Sequence, residues 1–271
     1  MFDEGMTIPD QTVIAPPVRR DRATARRAMY GLLWLLDHWV LVFLLCFGIY
    51  VILPFFAPIF MHAGWTGLAQ VVYTVYSTQC HQMAQRSFFL FGPQPMYNVA
   101  QLPIPMTNNG AADMLALRAF IGNADLGWKV AWSDRMVYMH TSLWLAGAVF
   151  GILHHRRRIL PLRLWRFGLL LLPMLADGGT HFLGDVTGGL VGSARYDNGW
   201  LAHLTGNVMP TWFYVGDAFG SFNSWLRLIS GALFGVAIVW LAFPHMDYSV
   251  WEIAKNLHMK LSASPVTDLP V

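Results

Sequence analysis

Long apolar runs alternate with polar, glycine-rich stretches along this chain. The hydrocarbon core of a bilayer is about 30 Å thick, and a helix needs roughly 20 apolar residues to cross it. Transmembrane helices are predicted at residues 29–57, 136–153, 167–184 and 225–243. The expected fold class is therefore all-α, a polytopic membrane helix bundle with about four transmembrane helices.

The segments that separate these runs differ in character. Residues 65–90 are too polar for a full span and predict a half-inserted or interfacial helix. Residues 92–135 and 185–224 are rich in turn-forming residues and predict outer loops. Residues 1–28 predict a basic, flexible tail, and residues 244–271 predict a second tail.

Positive charge is distributed unevenly among the polar segments. Twelve of the 18 lysine and arginine residues fall in the two tails and in the segment 154–166. Short loops rich in Lys and Arg stay on the cytoplasmic side. With four spans this rule predicts that both termini are cytoplasmic and that residues 92–135 and 185–224 face outward.

Composition supports a membrane location and argues against a nucleic-acid-binding protein or a disulfide-rich secreted domain. Hydrophobic residues make up 55% of the chain and charged residues 12%, with a mean hydropathy of +0.43, whereas a soluble domain carries about 25% charged residues. The basic clusters flank apolar spans, so the lipid bilayer is the expected partner and nucleic acid is not. Two cysteines are too few for a disulfide scaffold.

An unusual group of ionisable residues ends the third apolar run. Asp177, His181 and Asp185 are spaced i, i+4 and i+8, so on a continuous helix they share one face. An ionisable group within a membrane helix costs roughly 2.5–3.5 kcal/mol and is by default a functional candidate. Carboxylate and imidazole groups on one face can ligate a divalent metal such as zinc, with Cys80 or His81 completing the site.

The predicted topology brings further polar residues to the same outer side. Guanidinium groups there could hold an anion such as a phosphate. The candidate ligand-binding and anion-binding residues are Arg86, Ser87, Asp134, Arg135, Arg195 and Asn198. Asp217 and Asn223 also precede the last predicted span. A structural alternative is that Asp177 simply pairs with Arg135 or Arg86.

Two blocks of sequence resemble a known family. Cys80-His81-Gln82 followed by Arg86-Ser87-Phe88, and then Asp177-Gly178 with Arg195, Asn198 and Thr205-Gly206, are similar to the signature of the DUF2085 bacterial membrane proteins. The stretch 121–140 resembles a Chloroflexi-type subgroup. The resemblance covers roughly residues 70–240 and implies a multi-pass protein of the bacterial cell (inner) membrane. That family has no established activity, and this chain lacks its usual cysteine-rich stretch at residues 133–138.

Two functional hypotheses follow. In the first, the protein is an integral membrane protein whose polar outer face binds a metal ion, a small polar ligand or a lipid headgroup; whether it is an enzyme stays open. In the second, it is an accessory structural subunit of a larger membrane complex, without a catalytic site. The GxxxG patterns at 147–151 and 231–235 suit helix packing in either case. A pocket lined by Asp177 and His181 would favour the first hypothesis, and complete pairing without a pocket the second.

Overall fold

The structure is a computed structural model that describes residues 19–107, 109–155 and 159–263. Most of these residues are helical. The helices are α1 (Arg19–Asp37), α2 (Trp39–His62), α3 (Thr66–Ser77), α4 (Gly110–Ala119), α5 (Asp134–His154), α6 (Leu164–Thr187), α7 (Gly189–Gly192), α8 (Ala194–Asp197), α9 (Gly199–Leu204), α10 (Thr211–Tyr214) and α11 (Phe222–Ala263). The strands are β1 (Ser87–Leu90), β2 (Gly122–Asn123) and β3 (Gly127–Ser133).

Three of the described helices are long and apolar enough to cross a membrane. They are α2, α5 and α11, with window hydropathies of 2.7, 1.5 and 2.0. The third predicted span, 167–184, lies within α6, which is 24 residues long but carries Asp177, His181 and Asp185 in its second half. The described residues are thus mostly helical, with three helices able to span a membrane, and the crossing by α6 stays a prediction.

Several helix boundaries differ from those expected. The first predicted span, 29–57, is divided between α1 and α2, which are separated at His38. The half-inserted helix predicted over 65–90 ends at Ser77, and the chain continues through a loop into β1. The predicted tail after residue 243 is helical as far as Ala263, because α11 continues through Pro244. Residues 1–18 and 264–271 of the predicted tails lie outside the described residues.

A small antiparallel sheet interrupts the helical architecture. Its strand order is β1-β3-β2, with Phe89 opposite Lys129 and Gly122 opposite Trp128. The all-α expectation is therefore wrong for this part of the predicted outer loop 92–135 and for the end of the segment 65–90. One hydrophobic core cluster joins this sheet to α2, α3 and α5 through Ala57, Val72, Tyr76, Trp132 and Val137, among others.

The chain divides into two compact units. Among the described residues, one unit comprises 19–39 and 249–263, and the other comprises 40–248. All the polar groups discussed below belong to the second unit.

Both GxxxG patterns lie at helix–helix contacts inside the second unit. A Cβ at Gly147 would lie 3.1 Å from the ring of Phe43 in α2. A Cβ at Gly235 would overlap Ser142 Oγ and the backbone of Leu143 in α5. Since only glycine permits these approaches, the patterns serve the internal packing of α5 against α2 and α11.

Candidate functional site

A chain of ion pairs connects four separate segments of the second unit. The Arg86 guanidinium donates to both carboxylate oxygens of Asp185, at 2.8 and 3.0 Å, and its Nε donates to Asp217 at 2.8 Å. Asp217 also accepts from Arg227 Nη1 at 2.8 Å, and Arg227 Nε donates to Asp134 at 2.6 Å. Asp217 therefore bridges two guanidinium groups.

A second group of charges is centred on Asp177. One carboxylate oxygen accepts from Arg135 Nη2 at 2.7 Å and the other from Arg195 Nη2 at 2.9 Å. His181 Nε2 lies 3.6 Å from the carboxylate, one helical turn away, and Ser230 Oγ lies at 3.5 Å. Asp177 thus pairs with Arg135, as the structural alternative expected, and with Arg195 in addition.

Helix direction explains why these residues meet. Asp134 and Arg135 begin α5, Asp177 lies in the second half of α6, and Arg227 lies in the second turn of α11. The N-terminal ends of α5 and α11 therefore meet the C-terminal part of α6. The Asp177 carboxylate is thereby brought within hydrogen-bonding distance of Arg135 at the start of α5.

Deep burial makes this pairing obligatory. Asp134 is fully buried, Arg227 is 1% exposed and Asp217 is 2% exposed. An unpaired charge at such a depth is very costly, so each must have a partner. Burial alone would raise the pKa of the Asp217 carboxyl, but Arg86 and Arg227 outweigh it and hold that pKa well below its usual value.

The Cys80-His81-Gln82 motif closes the loop after α3. Gln82 has a left-handed φ of 50°, and its side-chain amide donates to the carbonyls of Tyr73 at 3.0 Å and Ala131 at 2.8 Å. The Cys80 sulfur accepts from the backbone N–H groups of Gln82 and Ser133, at 3.3 and 3.4 Å. Two motif residues therefore fix α3 to β3, while His81 between them stays exposed.

Two other predicted ligand residues act as supports. The Ser87 hydroxyl is buried and donates to the Met83 carbonyl at 2.9 Å, which holds the turn before β1. Asn198, at a φ of 44°, donates to the Tyr214 carbonyl at 2.8 Å and accepts from Arg195 Nη1 at 3.4 Å. Their side chains position the arginines of the site and face no pocket described here.

A pocket of about 170 Å³ opens beside the first chain of ion pairs. Its wall contains three arginines but a single carboxylate, since Asp177, Asp185 and Asp217 are not part of it. The lining residues are Gln79, Cys80, His81, Gln82, Met83, Arg86, Ser133, Asp134, Arg135, Met136 and Arg227. Its surface is therefore more positive than the paired cluster as a whole. Asp177 and His181, around which a pocket was expected, do not line this one. It is lined by the Cys80-His81-Gln82 motif and the three arginines.

Arg135 is the arginine of this pocket whose hydrogen-bonding capacity is least used. Its side chain is 24% exposed, against 13% for Arg86 and 1% for Arg227. Its Nε is buried and has no hydrogen-bond partner among the described residues. A buried unsatisfied donor is costly, and Arg195 Nε and His181 Nε2 of the same cluster also have no partner among the described residues.

The predicted metal site gains no support from the fold. Asp177 and His181 do lie together on α6, but Asp185 is held by Arg86 and Asp177 by two arginines. Within the described ranges there is no group of three or more His, Cys, Asp or Glu residues that could hold a metal ion. The arginines occupy the carboxylate oxygens that a cation would need.

Sequence reasoning identified most of the cluster but missed Arg227. It treated this residue only as one positive charge among many, although an arginine inside a predicted apolar span is itself a signal. The sequence pattern assigns Asp217 and Asn223 no role beyond preceding the last predicted span. In the structure, the Asn223 amide donates to the carbonyls of Arg195 at 2.7 Å and Gly216 at 3.0 Å, which fixes the loop that carries Asp217.

Comparison with known proteins yields one partial similarity to report. Over 62 residues the chain is 42% identical to an uncharacterized protein of the archaeon Methanocaldococcus jannaschii. The aligned part is 21% of this chain and 40% of that protein. No family model matches the chain. No solved structure matches it either.

Proposed function

We propose that this protein binds a small phosphate-like anion at the membrane surface, in the pocket lined by Arg86, Arg135 and Arg227. The observation that carries the proposal is the composition of the pocket wall, which contains three arginines and one carboxylate residue. Guanidinium groups recognise phosphate oxygens through paired, charge-assisted hydrogen bonds. The unpartnered Nε of Arg135 supplies a donor for such an anion.

The size of the pocket supports an anion of few atoms. An engineered cavity of about 150 Å³ binds benzene, so a volume of about 170 Å³ admits a tetrahedral oxyanion but not a whole phospholipid. A phospholipid would therefore place only its phosphate in the pocket, with the rest of the molecule outside. Free phosphate and a lipid headgroup share this chemistry, and experiment must distinguish them.

The direct test is phosphate binding by detergent-purified protein, measured by isothermal titration calorimetry. Arg135→Gln should weaken binding at least about tenfold, because a hydrogen bond to a charged group contributes about 1.5–3 kcal/mol. Arg135→Lys should give an intermediate affinity, since it keeps the charge but loses the planar donor pair. Arg166→Gln, at an exposed arginine outside the pocket, is the matched control.

The source of the phosphate is distinguished by lipid exchange. In nanodiscs, phosphatidylglycerol should compete with inorganic phosphate in wild-type protein if a headgroup is the ligand, and phosphatidylcholine alone should compete less. Equal phosphate affinity in wild-type, Arg135→Gln and Arg166→Gln proteins would contradict the proposal. In that case the buried ion pairs serve packing only, and the accessory-subunit hypothesis becomes the better one.

We further infer membership of the DUF2085 family and a location in the bacterial inner membrane, with both termini cytoplasmic. The family assignment rests on the order of its two motif blocks, and it is supported by the pairing of Arg86 in the first block with Asp185, which lies on the same helix as Asp177 of the second. The orientation rests on the distribution of lysine and arginine.

A further inference from the structure

A second pocket lies apart from the arginine cluster, between α3, α4 and β3. Its volume is about 440 Å³, within the range of small-molecule sites. Gln70, Thr74 and Ser77 of α3 form one polar wall, and Leu115 and Ile121 provide apolar surface. Its two charged groups, Arg118 and Lys129, are both basic.

Lys129 is the unusual residue of this pocket. It is fully buried, and its ammonium donates to the carbonyls of Gln82 at 2.7 Å and Arg118 at 2.6 Å. Among the residues that the structure describes, no carboxylate pairs with Lys129 or with Arg118. Lysine is almost never fully buried unless it is paired, so the site holds positive charge that the protein itself does not neutralise.

We propose that this second pocket binds a small carboxylate with a short apolar tail. The carboxylate would pair with Arg118 and Lys129, and the tail would lie against Leu115 and Ile121. The hydroxyl and amide groups along α3 suit a small polar substituent on the same ligand. This pocket shares Gln82 with the phosphate pocket, but neither Arg135 nor Arg227 lines it.

The protonation of Lys129 couples this binding to pH. The pKa of Lys129 is lowered to about 7, mainly by burial, with Cys80 opposing the shift and Arg118 adding to it. The titratable and charged groups that face it are Tyr73 from α3, Cys80 from the following loop and Arg118 from α4. A bound carboxylate favours the charged ammonium, so binding takes up a proton and weakens as the pH rises through 7.

The test is a calorimetric titration of the purified full chain with butyrate, which stays ionised across the range used. Affinity should be about tenfold higher at pH 6 than at pH 8, the ratio of protonated Lys129 at a pKa of about 7. Lys129→Met should weaken binding and remove the pH dependence. Arg118→Gln should weaken binding but keep the pH dependence. The exposed Lys260→Met variant is the matched control.

A variant that keeps Lys129 shows whether lost binding reflects the pocket and not a failure to fold. Leu115 is 66% exposed at the pocket, so Leu115→Trp should fold and should block butyrate by filling the space. The proposal is overturned if wild-type protein does not bind butyrate, or if Leu115→Trp and Arg118→Gln both bind it normally. Tighter, Lys129-dependent binding of inorganic phosphate would overturn the carboxylate class. Arg135→Gln should leave butyrate affinity unchanged, so the two pockets are tested separately.

Discussion

At the scale of single residues, Asp217 holds the arginine cluster together. It accepts hydrogen bonds from Arg86 and from two nitrogens of Arg227, one through its carboxylate and one through its carbonyl. Arg86 lies just before β1 and Arg227 lies in α11, so the Asp217 carboxylate connects these two segments. Such a residue is poorly replaced by a neutral one, because two buried cations would lose a shared partner.

We therefore expect Asp217→Asn to lower the free energy of unfolding by about 3–5 kcal/mol, the usual cost of removing one partner of a buried ion pair. The measurement is unfolding in mixed detergent and SDS micelles. Asp125→Asn, at an exposed aspartate, is the control and should change stability by less than about 0.5 kcal/mol. Similar stabilities for both variants would show that Asp217 is not an essential bridge.

Lys129 gives a second residue-scale prediction, for stability against pH. Its pKa is about 7 in the folded protein and 10.5 in the unfolded chain, so the unfolded chain binds more protons between these values. Stability should therefore rise as the pH increases from 7 to 10.5, by at most about 1.4 kcal/mol per pH unit. The difference in unfolding free energy between wild type and Lys129→Met isolates this effect. A difference that does not vary with pH would contradict the burial of a titrating amine.

At the scale of elements, close contacts at glycine set the packing of α5 and α11. A Cβ at Gly231 would lie 3.0 Å from the Tyr138 side chain, and one at Gly235 would overlap Ser142. The Ser142 hydroxyl lies 3.0 Å from the Gly231 carbonyl and donates to it across the same contact. This packing places the N-terminal ends of both helices together, which the Asp134–Arg227 pair requires.

Gly235→Ala should consequently destabilise the protein by about 1–3 kcal/mol through overpacking. Gly168→Ala in α6 is a matched control, since a Cβ there meets nothing within 4 Å. Both variants are compared by the same micelle unfolding assay. If Gly235→Ala were as stable as Gly168→Ala, the close approach of α5 and α11 would be wrong.

Some elements could be predicted from sequence, and others could not. The apolar runs predicted α5 closely, because 136–153 lies inside Asp134–His154. The strands β1 and β3 were missed, because short strands between turn-rich segments show no extended alternation of apolar and polar residues. The burial of Lys129 was also missed, because the backbone carbonyls that receive its ammonium are brought near by the fold and not by sequence spacing.

Across the whole molecule, the directions of the helices determine which polar residues come together on one side. The convergence of Asp177, His181, Arg135 and Arg195 was predicted from topology alone. Sequence could not show how the charges divide, with carboxylates bound by arginines and a positive pocket beside them. That division depends on side-chain distances, which a topology does not contain.

The crossing by α6 is testable by labelling with a membrane-impermeant thiol reagent. A helix of 24 residues is about 36 Å long, enough for a core of about 30 Å. Arg163→Cys, just before α6, and His203→Cys, after it, should therefore react from opposite sides of the membrane, with the His203→Cys side external. Reaction of both from one side, above the wild-type background, would mean that three helices cross and that residues 19 and 263 lie on opposite sides.

The proposed function depends on a tetrahedral anion in the positive pocket beside the paired cluster. Anomalous scattering from crystals grown in selenate would locate such an anion directly. We predict a selenium peak in the pocket, within hydrogen-bonding distance of Arg135 and absent in Arg135→Gln crystals. A wild-type pocket without that peak, or an equal peak in the variant, would contradict the account.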